Sequence, residues 1–233
     1  MLPSIVVLAG GEGTRLYPVT KTIPKTMVEV AGKPFISHQL ALFRKNGIKK
    51  VIICAGYLGE QIKDFVKDGK AFGIKVDFSF DGKKLRGTGG AIRKAARLLD
   101  KVFFVIYGDS YLNIAFKPIS DYFFSHHEKG LMTVLKNDNK WDTSNTLYSD
   151  GHILAYDKKM VTKDMKHIDY GLSIFRKEVF TDATYGDVFD LTDVYKDLML
   201  KGKLLGYEVK KRFYEMGSRN GLKETEKYLK KRV

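Results

Sequence analysis

The 233-residue sequence predicts an α/β domain built on a mixed, mainly parallel central sheet flanked by helices. Three observations predict it. Apolar runs at Ile5–Leu8, Val51–Cys54 and Val102–Ile106 contain no charged residue, as strands buried on both faces require. Segments with helical apolar spacing separate those runs, which is the βαβ alternation that makes neighbouring strands parallel. The second half places strand-length stretches close together, so antiparallel pairs join the sheet there.

In chain order, the first run passes directly into glycines. A helix follows with Ile36, Leu40 and Phe43 on one face, and Asn46-Gly47 is a good stop for it. After the second run come Ile62, Phe65 and Val66 at helical spacing, then a strand at Lys75–Phe80. The next helix gathers Ile92, Ala95, Ala96 and Leu99 ahead of the third run. Beyond it, Leu131–Lys136, Thr146–Ser149, Ile153–Tyr156 and Gly171–Phe175 read as strands, with a turn at Asp150-Gly151. Helices return at Leu191–Leu200, where Leu191, Val194, Tyr195 and Leu198 share a face, and near Leu222–Leu229. No repeat, low-complexity stretch or flexible linker divides the chain. One Rossmann-like domain over residues 1–233 is expected.

Composition narrows the function. A hydrophobic fraction of 44% suits a globular core, and no run is long enough to span a membrane. No basic-then-apolar leader precedes Ser4, so a cytoplasmic protein without a membrane partner is expected. The single cysteine, Cys54, closes a strand run and excludes an internal disulfide or a Cys-rich metal site. Five histidines show no ligand spacing; His126 and His127 are adjacent and cannot share a helix face. The net charge of +14 fits either a nucleic-acid surface or a lysine-rich surface around a site for polyanionic small molecules. The lysines are spread along the chain without interleaved aromatics, which favours the second. No nucleic-acid partner is expected.

The first strand ends in Leu8-Ala9-Gly10-Gly11-Glu12-Gly13-Thr14-Arg15-Leu16. A glycine turn after a buried strand lets backbone N–H groups approach phosphates, although a purely structural turn explains glycines as well. Neither phosphate-loop pattern fits: no Gly-Lys-Ser/Thr follows, and Leu16 stands where a dinucleotide fingerprint needs its third glycine. Arg15 inside the turn and Lys25 shortly after it supply the fixed guanidinium and ammonium a triphosphate needs. Tyr107-Gly108-Asp109-Ser110 follows the third run, where α/β sheets bind ligands, although an aspartate there also suits a helix cap.

With Gly11-x-Gly13-Thr14-Arg15-Leu16 and Pro24-Lys25-x-Met27 at this spacing, the chain resembles the sugar-1-phosphate nucleotidyltransferases over nearly its whole length. The resemblance implies a fold of the nucleotide-diphospho-sugar transferase type. It also implies a nucleotide-binding half up to about residue 115 and a sugar-phosphate half beyond it. It implies joining of a nucleoside triphosphate to a sugar 1-phosphate, with release of pyrophosphate. The family's Gly-Asp aspartate, here Asp109, binds Mg2+, for which Mn2+ can substitute. Phe213-Tyr214-Glu215-Met216-Gly217-Ser218 occupies the place of the second metal carboxylate, with Glu215 where aspartate is commoner. Arg15, Lys25 and Asp109 are the implied catalytic residues, with Leu8 through Gly11, Gly13, Thr14 and Gly108 around the nucleotide.

Leu85-Arg86-Gly87-Thr88-Gly89-Gly90 matches the segment that passes over the base, which brings in Gly87 and Thr88. Asp81 falls where an acidic side chain can face the base. An acceptor-only carboxylate suits the two N–H donors of guanine, but the same residue also suits a turn at Asp81-Gly82. On the sugar side, Asp157 and Lys158 match an acidic residue followed by lysine, without the family's usual proline next; a solvated Asp-Lys-Lys edge competes. Asp169-Tyr170-Gly171 resembles the turn and strand closing the sugar pocket, with Asn145 in a flanking polar run. The chain ends soon after Glu215, so a compact member is expected, such as a heptose or mannose 1-phosphate guanylyltransferase or an N-acetylmuramate 1-phosphate uridylyltransferase. Cytidylyltransferases, a homodimeric assembly and a silent nucleotide-binding scaffold stay open. The last should have lost Arg15, Lys25 or Asp109, and all three are present.

Overall fold

The computed structural model describes residues 2–82, 84–181 and 185–231. From the amino end, β1 (Ser4–Ala9) leads through three short 3-10 helices and a ribbon of β2 (Glu29–Val30) and β3 (Lys33–Pro34) into α1 (Phe35–Lys45). Then β4 (Lys50–Ala55), α2 (Gly59–Val66), β5 (Lys75–Phe80), α3 (Gly87–Lys94) and β6 (Val102–Tyr107) complete the alternating front half. Next come β7 (Ser110–Tyr111), α4 (Lys117–Phe124), β8 (Gly130–Lys136), β9 (Thr146–Ser149), β10 (His152–Tyr156) and β11 (His167–Arg176). The chain closes with α5 (Glu178–Thr181), α6 (Leu191–Leu200), β12 (Leu204–Val209), β13 (Tyr214–Glu215) and α7 (Arg219–Lys230).

Nine strands make one mixed sheet in the order β5-β4-β1-β6-β11-β8-β12-β10-β9. The four front-half strands are parallel, and β11 enters antiparallel to β6. Further out, β8 runs antiparallel to β11 and β12 parallel to β8. The β9–β10 hairpin forms the far edge, yet Thr146 of β9 also pairs with His167, so that edge folds back on the long β11. The uninterrupted apolar runs have the expected cause. In β1, β4 and β6, Ile5, Val7, Val51, Ile53, Phe104 and Ile106 fill one core layer, whereas Val6, Ile52, Phe103 and Val105 fill the other. Helix α1 packs Ile36, Leu40 and Phe43 into the first; α3 and α6 pack Ile92, Leu191, Val194 and Leu198 into the second. Each such side chain contributes about 1.5–3 kcal/mol through burial.

Helix α1 stops where expected. Gly47 takes φ of 82°, its N–H bonds Arg44 (2.9 Å) and the Ile48 N–H bonds Phe43 (3.0 Å), which satisfies the last carbonyls. Helix α3 ends earlier than its periodicity predicts. From Ala96 the N–H groups reach back only three residues, and Ala95 and Leu99 still pack into the core from this tightened turn. Among the described residues no helix is long and apolar enough to cross a membrane.

Candidate active site

The chain passes from β1 to β4 on one side and returns from β5 to β6 on the other, so the sheet order reverses between β1 and β6. Crevices form beyond the carboxyl ends of strands at such a point. Here that crevice is a cleft of about 270 Å³ whose lining includes Leu8, Ala9, Gly10, Gly11 and Gly13. The glycine turn runs along it. A Cβ on Gly10 would lie 3.2 Å from Asp81 Oδ2, while one on Gly13 would lie 3.2 Å from Lys25 Cβ. The cleft therefore extends from Asp81 toward Lys25, and Gly13 needs its φ of 67° to make the turn. Gly87 and Thr88 line it from the start of α3, and Gly108 and Asp109 from the end of β6. Thr14 is exposed and is not among the lining residues.

Asp81 is buried, and its Oδ2 accepts from the Arg86 N–H at 3.4 Å. Burial raises its carboxyl pKa above the ordinary range, offset in part by that N–H and by the charges of Lys94 and Arg86. Opposite it, Lys25 Nζ is ion-paired with Asp109 Oδ2. The two-stranded ribbon of β7 and β13 sets Glu215 opposite Ser110, and the Met216 N–H bonds the Asp109 carbonyl at 2.9 Å. Residues far apart in sequence are thereby joined.

Gly217 measures how close they come. A Cβ built on it would lie 2.8 Å from Arg15 Nη2, 2.8 Å from Glu215 Oε2 and 2.9 Å from Asp109 Oδ2. Two carboxylate oxygens and a guanidinium thus face one point, which is clear because residue 217 carries no side chain. Arg15 and Glu215 also line a neighbouring polar cleft of about 290 Å³, where the Arg212 guanidinium stacks 3.7 Å over Trp141.

The sugar-side expectations divide. Gly171, at φ 90°, faces Ser110 and Tyr107 across a close approach. Lys158 Nζ lies 5.2 Å over the Tyr107 ring and 3.5 Å from Asp169 Oδ2. Tyr170, expected at the substrate, instead points to the opposite face of the sheet. Alternation along β11 buries it in a core layer, edge-on to Phe213. Asp157 is likewise corrected. Its carboxylate accepts from the Lys159 and Met160 N–H groups and pairs with Lys196 of α6 at 2.5 Å, which holds its pKa well below the usual range. It fastens a turn. Asn145 is buried and braces the pocket wall, its side-chain oxygen accepting from the Asp169 N–H (3.0 Å) and the Thr146 hydroxyl (2.9 Å).

The residue the sequence reading undervalued is Asp169. Its side chain is 2% exposed, accepts from Tyr156 Oη at 3.2 Å and from the Gly171 N–H at 3.0 Å, and stands beside Lys158. Burial, and then the Asp169 charge, keep the neighbouring Tyr107 and Tyr156 hydroxyls protonated. Alternation was the available signal: with Gly171 facing the site, Asp169 had to face it too. Asp190, which also lines the cleft, escaped the sequence reading, although an acidic residue opening a helix was the signal for it.

A glycine-lined crevice at the sheet's switch point, bordered by an ion-paired lysine and two converging carboxylates, defines a nucleotidyltransferase. The chain belongs to the Nucleotidyl transferase family, whose profile matches residues 4–184. It is 30% identical over 194 residues to the D-glycero-alpha-D-manno-heptose 1-phosphate guanylyltransferase of Campylobacter jejuni, covering 82% of this chain and 84% of that protein. It is 28% identical to the N-acetylmuramate alpha-1-phosphate uridylyltransferase of Neisseria meningitidis, covering 95% and 96%. It spans 55% of a longer relative, the UTP–glucose-1-phosphate uridylyltransferase of Synechocystis. HddC from Yersinia pseudotuberculosis complexed with GMP-PN superposes with a TM-score of 0.81 at 26% identity, covering 98% of this chain and all of that one.

Proposed function

We propose that this enzyme transfers a nucleotidyl group from GTP to a heptose or mannose 1-phosphate, releasing pyrophosphate and a nucleotide-activated sugar. The observation that carries the transfer reaction is the convergence of Asp109, Glu215 and Arg15 on one point beside Lys25. In the reaction, an anionic oxygen of the sugar phosphate attacks the α-phosphorus, and the bond to the β-phosphate breaks with its electron pair leaving on pyrophosphate. The nucleophile is already charged at neutral pH, so no general base is needed. The protein's tasks are alignment and charge neutralisation.

The amides of the Gly10–Gly13 turn and the Arg15 guanidinium hold the leaving phosphates, and Lys25 stabilises charge at the α-phosphate. Two carboxylates with oxygens facing one point fit Mg2+, which commonly takes one or two carboxylates and completes its shell with water and substrate phosphates. Asp109 and Glu215 would hold the ion, which supplies positive charge to the reacting phosphates. Buried Asp81 offers guanine acceptors only, and the Campylobacter relative, a guanylyltransferase, favours the same base. Asp169, Lys158 and Gly171 would receive the sugar phosphate.

A pyrophosphate-release screen of the four nucleoside triphosphates against a panel of sugar 1-phosphates, with Mg2+, tests the reading. Release with GTP and a heptose or mannose 1-phosphate is expected. Preference for UTP, as the Neisseria relative's name would suggest, overturns the base assignment, and no release with any pair overturns the reaction.

A further inference from the structure

Glutamate has one methylene more than aspartate, and that extra length must go somewhere if Glu215 Oε2 is to stand beside Asp109 Oδ2. Here the side chain curls back over the first turn of α7. Its Oε2 accepts from the Gly217 N–H, and its Oε1 accepts from the Ser218 hydroxyl at 2.7 Å. The same Ser218 oxygen accepts from the Gly221 N–H at 2.9 Å, which makes it the N-cap of α7. One hydroxyl thus closes the helix and fixes the carboxylate.

The space for this arrangement is at Gly221. A Cβ built there would lie 1.6 Å from Glu215 Oε1 and 2.4 Å from its Cδ. Those separations are far inside van der Waals contact, so the carboxylate occupies the volume that a side chain at 221 would fill. Gly221 is buried in the first turn of α7, where glycine still loses more backbone freedom on ordering than alanine does. Helix stability therefore argues against glycine here, and the carboxylate supplies the reason for it.

We infer that Gly221 is a positioning residue: with Ser218 it folds the Glu215 side chain onto the N-terminus of α7, so that Oε2 meets Asp109 and Arg15. The inference rests on Glu215 serving the reaction proposed above. It makes residues 215 and 221 a matched pair, because a shorter acid at 215 does not reach the volume beside 221.

The test is a double-mutant cycle of Gly221→Ala and Glu215→Asp, read by thermal melting without metal and by pyrophosphate release with Mg2+ from the pair the unsubstituted protein uses. Gly221→Ala alone is expected to lower the melting temperature by about 5 °C. It should also reduce turnover on the order of tenfold, by displacing a group that holds reacting charge. In the Glu215→Asp background the same change should cost less than half as many degrees and leave that variant's turnover within about twofold. The rescue is partial, because the Cβ also lies 2.8 Å from the Glu215 carbonyl oxygen, which stays in place. Equal melting losses in both backgrounds overturn the pairing. Coupled melting with turnover unmoved by Gly221→Ala overturns the positioning role. Failure of the functional reading looks different: the unsubstituted protein releases no pyrophosphate, while the melting cycle still decides whether the residues are coupled.

Discussion

At the scale of single residues, charges that serve substrate can be told from charges that serve the fold by where their partners lie. Asp157 is held by Lys196 and its own turn, whereas Lys25 pairs with Asp109 at the cleft and Arg15 faces the carboxylate pair. Arg15→Ala and Lys25→Ala should each reduce pyrophosphate release by a factor of about 10² or more. Neither side chain lies in a core layer, so melting should move little. Near-normal turnover in either variant removes the phosphate-holding assignment. Asp81 gives a second test. In Asp81→Asn, GTP use should fall more than pyrimidine triphosphate use, since an amide presents donors to the guanine N–H groups. Its raised pKa means that the folded state takes up a proton more readily than the unfolded chain. The wild type should therefore gain stability relative to Asp81→Asn as pH falls from the raised pKa to the ordinary carboxylate value, a trend that paired melts across acidic pH would detect. The family resemblance carried by motif spacing grouped Arg15, Lys25, Asp109 and Glu215, and the fold brings these four together. Asp169 was legible only through its alternation with Gly171, since its residue type alone does not distinguish a buried carboxylate from a turn aspartate.

At the scale of elements, the long apolar runs and the helical faces were legible because both follow from a local period. The two-residue strands β7 and β13 were not, because each exists only through the other. Strand β12 was missed for a related reason: Gly206 and Glu208 interrupt its apolar run, and pairing with β8 makes it a strand. Tyr170 was misplaced because the sequence reading starts this strand at Gly171, whereas β11 begins at His167 and alternation then puts Tyr170 with Ile168 and Leu172 in the core. One element junction has a testable function. The Asp190 carboxylate at the start of α6 accepts from the Thr88 N–H and hydroxyl, both at 3.1 Å, and Thr88 Oγ1 accepts from the Leu191 N–H at 2.7 Å. The start of α3, which lines the nucleotide cleft, is thereby tied to α6. Asp190→Ala should cost about 1 kcal/mol in urea unfolding, as lost caps do. It should raise KM for the nucleotide more than it lowers kcat, because the tie positions a wall and touches no reacting atom. A change in kcat alone would contradict that division.

At the scale of the whole molecule, the fold brings together two carboxylates, Asp109 and Glu215, that lie far apart in the sequence, and such a pair needs compensating positive charge. The protein supplies some compensation itself, with Lys25 on Asp109 and Arg15 facing both acids. Binding of Mg2+ should therefore matter for the reaction far more than for the fold. Treatment with chelator is expected to abolish pyrophosphate release, and Mg2+ or Mn2+ to restore it, with melting nearly unchanged throughout. Asp109→Asn and Glu215→Gln should each remove most turnover. The double variant should be scarcely worse than either single one, since groups that act through one ion fail as a unit. Independent roles predict otherwise: if Glu215 served only to cap α7, its loss would lower stability and multiply with the loss of Asp109. A double variant slower than both singles by the product of their separate effects would thus separate the two carboxylates. It would leave Asp109 as the sole metal candidate, with Glu215 a part of the helix end.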